Sequence, residues 1–199
     1  MLYQWGRKDP FLGSSSISSK VEARSTLNWP ECVDAEATSD GVEFAISHPT
    51  TYITSNLSSS WFSTASLHDS KALWNSKKTI YDPCPFGWRV PDGGSNGFWK
   101  TALGALGDMS GGYSQIMKGV NASGYLGQDE QIWLPYAGYK DIRNGEFLSV
   151  GSRGFYSSCY SDGSSFCGLI LHGEGNCASA MIGATITLSS AASVRCVKE

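Results

Sequence analysis

The sequence predicts an α+β fold, and three observations support it. Helix signals fall early in the chain and strand signals late. The strand signals are short and separated by Gly, Asn, Asp and Ser, the pattern of consecutive antiparallel strands. The chain is also poor in charge: 17% of its residues are charged, against about 25% in an average domain, and 23 of its 199 residues are glycine. That balance favours sheet and ordered loops.

Residues 1–13 carry Trp5, the charged group Arg7-Lys8-Asp9 and Pro10. They read as a short helix or turn broken at Gly13. Residues 14–78 are rich in Ser, Thr and Asn yet hold Trp29, Phe44, Tyr52, Trp61, Phe62 and Trp74. So many aromatics imply an ordered, loop-rich insertion within one domain spanning 1–199. Inside it, Val42–Ser47 alternates as a strand does. The prolines of Thr79–Pro91 forbid helix and demand an extended path with turns. Asp92 or Ser95 is then placed to cap a helix over Phe98–Leu106, with Trp99, Leu103 and Leu106 inward. Strands are expected at 131–136, 145–150, 154–158, 166–172, 181–188 and 193–198.

Composition removes several function classes. A net charge of −3 and a pI near 5.6 leave no electrostatic footprint for nucleic acid. No apolar run approaches the ~20 residues of a membrane span, so no membrane insertion is expected. Met1 leads straight into Leu2-Tyr3-Gln4-Trp5, without the pattern of an export leader. Export would need a signal elsewhere or another route. Six cysteines (Cys32, Cys84, Cys159, Cys167, Cys177 and Cys196) include no CxxC pair, which argues against zinc, and an even count fits an oxidising compartment.

No HExxH, phosphate-binding loop or GxSxG elbow is present, and no cofactor is expected. The histidines (His48, His68 and His172) are isolated, and surface roles are expected for them rather than a catalytic triad. Asp129, Glu130 and Asp141 have the hard oxygen ligands calcium needs, but paired surface acids are ordinarily just solvated, so no metal is expected.

Three blocks carry a resemblance. LYQWGRKDPF (2–11), TIYDPCPFGWRVP (79–91) and SVRCVKE (193–199), with LPYAGYKD (134–141) between them, resemble the Fibrobacter succinogenes major paralogous domain. That family occurs in surface proteins of gut Bacteroidetes and their phages. It is similar to C-type lectins, formylglycine-generating enzymes and the variable proteins of diversity-generating retroelements. The resemblance implies a C-type-lectin-like fold: two helices flanking a twisted antiparallel sheet, with the termini close together. Two departures stand out. Asp92–Trp99 replaces the family's helix start after Arg-Val-Pro, and the family's strand before Leu-Tyr-Gln-Trp has no counterpart.

Within the blocks, Trp88 is expected in the core, with the Arg89 guanidinium free for a carbonyl or carboxylate. Cys84 and Cys196 sit in the two strongest blocks and are expected to form a disulfide. Two buried thiols are the alternative. The resemblance also raises a cysteine-dependent oxidase, but no Lys or Arg lies between Tyr156 and Ala180 to activate a thiol. The sugar-binding signatures of calcium-dependent lectins are absent too.

The stretch 156–180 (YSSCYSDGSSFCGLILHGEGNCASA) holds half the cysteines. Retroelement diversification, which mutates adenines of Asn codons, cannot produce Lys, Glu, Gln, Trp or Met. These types number 28 among residues 1–155 but one among these 25, where about four or five would be expected. The stretch therefore reads as a diversified binding surface, the bland alternative being a Ser/Gly-rich sheet edge. Strand alternation points Cys167, Leu169 and Leu171 inward and Phe166, Gly168, Ile170 and His172 outward. Candidate ligand contacts are Ser158, Cys159, Tyr160, Asp162, Ser164, Phe166, Gly168, Ile170, His172 and Asn176. Phe166 and Ile170 beside Tyr160 would form an apolar patch.

The expected function is ligand recognition at a cell or phage surface, with a surface protein or glycan as partner and no catalysis. The main alternative is an envelope or fimbrial assembly domain.

Overall fold

The structure, a computed structural model, describes residues 1–11, 32–56, 60–62, 73–94, 96–103, 113–122, 132–174 and 177–199. Among them the chain is α+β. The first strands are β1 (Tyr3–Gln4), β2 (Cys32–Asp34), β3 (Tyr52–Thr54), β4 (Trp88–Arg89), β5 (Tyr113–Ser114), β6 (Gly119–Asn121) and β7 (Trp133–Pro135). Then follow β8 (Tyr139–Lys140), β9 (Phe147–Leu148), β10 (Arg153–Ser161), β11 (Ser165–Glu174), β12 (Cys177–Thr187), β13 (Ala191–Ala192) and β14 (Val197–Lys198). The helices are α1 (Gly41–Ser47) and α2 (Phe98–Leu103).

These strands form five small sheets rather than one. The orders are β1-β13-β8-β9, β10-β11-β12, β5-β6-β7, β4-β14 and the parallel pair β2-β3. β1 lies against β13, so the two ends of the sequence meet. The opening residues form neither helix nor simple turn: Leu2 and Phe11 exchange backbone hydrogen bonds around the Trp5–Gly6 turn.

Val42–Ser47 is helix, not strand. Asp40 caps it, its carboxylate accepting from the amides of Val42 and Glu43. Val42 and Ala45, three apart, share the buried face. Helical spacing and the cap outweigh the β preference of Val, Phe and Ile. Glycine is required at position 41, where a Cβ would crowd the Trp61 carbonyl and Phe62.

The expected helix at 98–106 is described over Phe98–Leu103, with Trp99 and Leu103 buried. Leu106 and Ser95 lie outside the described residues. The Asp92 carboxylate does not cap α2: it pairs with Arg89 at 2.6 Å, and only the Asp92 backbone carbonyl accepts from Phe98.

Thr79–Pro91 is built around Asp82. This buried carboxylate accepts from the amides of Cys84 and Val90 and from Lys78 Nζ. Lys78 also donates to the carbonyls of Cys84 and Trp88. Contrary to expectation, Trp88 is 44% exposed, and Val90 enters the core instead. Arg89 does find a carbonyl, that of Val90, and a carboxylate, that of Asp92. The Cys84–Cys196 disulfide is formed.

Two cores sandwich the β10-β11-β12 sheet. One contains Trp5, Val42, Trp61, Trp74, Phe155, Phe166 and Ile186, with Ile170 packed against it. The other contains Trp99, Leu103, Tyr156, Leu169, Leu171 and Ala180, with Ile182 against it. A third, smaller cluster gathers Leu2, Phe11, Tyr52 and Phe147. The described part of 14–78 is thus no appendage, because it supplies much of the first core.

Candidate binding face

The segment singled out by composition becomes the hairpin of the two-sided sheet. β10 and β11 pair in register from Arg153↔His172 to Ser157↔Gly168, then slip, resuming at Ser161↔Phe166. Three residues of β10 there face one of β11, a bulge that bends the strand. The three sequence blocks converge on it. From the first block, the Trp5 indole donates to the Ser158 carbonyl at 2.9 Å. From the second, the Pro91 carbonyl accepts from the Cys159 amide at 2.9 Å. From the third, Ser193 exchanges backbone hydrogen bonds with Phe155 and Ser157. The Ser158 hydroxyl donates across the strand to the Cys167 carbonyl.

With Ser158 and Cys159 fixed inward, Tyr160 emerges half exposed. It sits against the Gly93–Gly94 loop: a Cβ on Gly93 would collide with Ser158 Oγ and Tyr160 Cβ. Beside this loop a crevice of about 10 Å³, room for about one water, is lined by Gly93, Trp99, Cys167, Ile182 and Gly183. Trp99 Nε1–H is buried and has no partner among the described residues. Thr185, opposite Cys167, continues the rim, and Gly183 adopts φ +75° at a second bulge, in β12. The hairpin tip is closed by Asp162, whose Oδ1 accepts from the amides of Ser164 and Ser165 and from the Ser164 hydroxyl. These bonds hold its carboxyl below the usual carboxylate range.

Of the ten expected contacts, the structure therefore exposes Tyr160, Asp162 and Ser164 together. Ser158, Cys159, Phe166 and Gly168 are buried, and Asn176 lies outside the described residues. Phe166 is wholly enclosed and Ile170 half-buried, so the expected apolar patch with Tyr160 does not form. The reason is the second core. A sheet covered on both faces has no outward alternation in its interior. Gly168 is confined further, since a Cβ there would collide with the Tyr156 carbonyl. Cys167, expected inward, is only half-buried and lines the crevice. Sequence reasoning missed the exposed side of β12, namely Ser179, Met181, Gly183 and Thr185, and the Gly93–Gly94 loop. The period-two placement of Ser179 and Thr185 against Ala178, Ala180 and Ala184 was the available signal, with Met181 breaking it.

The cysteines divide clearly. Cys159 approaches Asp92 Oδ1 at 3.7 Å, and its thiol pKa is pushed up to about 12 by burial and by the Asp92 charge, with Arg89 partly opposing. A thiol held protonated is a hydrogen-bond donor, not a nucleophile. Burial and Asp162 also raise the Cys167 thiol. Cys32 donates to the Asn144 carbonyl. Among the other candidates, Asp141 is tied to Arg143. Burial pushes the Asp141 carboxyl up, but the Arg143 hydrogen bonds and charge together outweigh that and hold it below its usual range. Asp129, Glu130 and His68 lie outside the described residues, and His48 is exposed and stacked on Phe44.

His172 is half-buried, its Nε2 without a partner among the described residues. Burial, aided by Arg153 opposite, lowers its pKa from 6.5. The folded chain thus binds a proton at His172 less readily than the unfolded chain does. The unfolded chain takes up protons first as pH falls through about 6.5, so stability drops below that pH. Thermal melts between about pH 7 and pH 5 should show a steeper fall in Tm for the native chain than for His172→Gln. Equal slopes would mean His172 is not the group responsible.

No family model matches this chain, and comparison with curated proteins and with solved structures finds no similar protein.

Proposed function

We propose that this chain is a C-type-lectin-like recognition domain, displayed on a cell or virion surface, that binds a protein or glycan through the rim around Tyr160. One observation carries the reading: three distant sequence segments fix the β10 bulge and so turn Tyr160 outward beside a glycine loop. A bulge presenting a half-exposed tyrosine beside a hydroxyl-rich turn supplies what recognition surfaces use. The aromatic anchor carries contact area at low entropic cost, and Ser, Thr and Asp supply hydrogen bonds. In this reading the diversified positions are Tyr160, Asp162 and Ser164, where side chains can change without touching either core. The raised thiol of Cys159 favours binding over cysteine chemistry.

The test is a screen of the full chain against arrayed glycans and bacterial surface proteins, repeated with Tyr160→Ala/Asp162→Ala. A genuine ligand should bind the double variant at least ~10-fold more weakly, as loss of an aromatic anchor worth about 2 kcal/mol implies. Undiminished binding by that variant would remove the rim from the account.

A second reading, assembly through the sheet, rests on β12. Its eleven residues contain neither proline nor charge, and its outer edge pairs with no strand among the described residues. Such an edge is a template for strand addition. Concentration-dependent association in sedimentation, abolished by Met181→Lys or Thr185→Pro, would favour it. A monodisperse chain at high concentration would count against it.

A further inference from the structure

A second concave site lies apart from the sheet and shares no residue with the Tyr160 rim. It is a groove of about 400 Å³ between residues 6–9, α1 and Ile80–Tyr81. That volume is within the range of small-molecule sites, roughly 300–1,000 Å³. Val42 and Ala45 form its apolar floor, and its rim leaves Ile46 61% and Ile80 76% exposed. Large aliphatic side chains so exposed on both sides of one groove gain from a ligand that covers them.

Arg7, which lines the groove, is the unusual feature. Its side chain is only 3% exposed. Nη1 donates to the Thr51 carbonyl at 2.8 Å and to Gln4 Oε1 at 3.3 Å, and Nη2 donates to the carbonyls of Pro49 and His48. All four acceptors are neutral. Nε–H is buried without a partner among the described residues, and no carboxylate forms an ion pair with this guanidinium among them. Burial lowers its pKa to about 10, with Asp9 only partly offsetting the loss of water. The guanidinium also lies over the rings of Phe11 at 5.0 Å and Trp61 at 5.8 Å, but no anion among the described residues pairs with it, which makes an incoming anion favourable. With Lys8 and Asp9 also on the lining, the groove carries a net charge of about +1.

We propose that this groove binds a small apolar carboxylic acid, its aromatic or branched body seated between Ile46 and Ile80 over Val42 and Ala45, and its carboxylate against Arg7. A neutral ligand would fill the same volume but leave Arg7 without an anionic partner. A cationic ligand would be repelled. The site lies outside the recognition function proposed above and stands independently of it.

The probe is 3-phenylpropionate, titrated into the full chain and followed by NMR at the indole Nε1–H of Trp61, which lines the groove and donates to the Trp5 carbonyl at 2.8 Å. The acid should produce saturable shifts with a Kd of about 0.1–1 mM, typical for a ligand of that size. Its amide, 3-phenylpropionamide, should bind at least ~10-fold more weakly, because only the charge has been removed. Ile46→Asp and Ile80→Asp alter exposed rim positions and should each weaken the acid by a similar factor of about 10. Tyr160→Ala should leave it unchanged. The proposal is overturned by an acid that causes no saturable shift at Trp61, by an amide that binds as tightly as the acid, or by rim variants with unaltered affinity.

Discussion

Phe166→Ala is expected to destabilise the chain by about 3–5 kcal/mol, the range for truncating an enclosed phenylalanine. Phe166 is wholly buried in the first core with Phe155 and Ile186. It is also the residue at which β10 and β11 regain their pairing after the bulge, opposite Ser161. Its loss removes apolar contacts and leaves a cavity next to the segment that aims Tyr160. Tyr160→Ala, by contrast, should change stability by no more than about 0.5 kcal/mol, as surface substitutions do. Urea unfolding of the two variants distinguishes a binding position from a scaffold position six residues away. Similar losses in both would show that Tyr160 is part of the packing.

Breaking the Cys84–Cys196 bridge is the second large effect. The two residues are separated by 112 positions. In the chain-entropy model, opening a loop of that length costs about 4–5 kcal/mol. Cys84 is buried in the first core, and its amide is held by Asp82. The bridge therefore joins the Lys78–Asp82 turn to the final strand pair, β4-β14. The double variant Cys84→Ser/Cys196→Ser should melt far below the native chain in a calorimeter. A Tm within a few degrees of native would mean that β4-β14 pairing alone holds the terminus.

The parts of the fold legible in the sequence are those where residue type restricts the backbone. Thr79–Pro91 could be read as an extended path with turns because its prolines exclude helix, and only Trp88–Arg89 of it is strand. The long strands from 153 onward announced themselves by β-branched and apolar runs between glycines. The orientation of β11 was not legible, because both of its alternating sets are apolar: Phe166 and Ile170 on one side, Leu169 and Leu171 on the other. Only knowledge of the second core decides that neither side is free. α1 was hidden by the β preference of its residues, and its cap, Asp40, was the signal to weigh. The β10 bulge leaves no trace in Ser157–Ser161. It is imposed by Trp5, Pro91 and Ser193, each remote in sequence. The candidate site contracts accordingly from ten residues to Tyr160, Asp162 and Ser164, and extends to Gly93, Gly94, Met181 and Thr185.

The most direct test of that division is a surface-display scan of every substitution across residues 156–187, scored for folded display alone. Broad tolerance is expected at Tyr160, Ser164, Met181 and Thr185, and near-complete intolerance at Ser158, Phe166, Gly168, Leu169 and Leu171. Tyr160 and Met181 proving as intolerant as Phe166, or Phe166 as tolerant as Tyr160, would contradict that division.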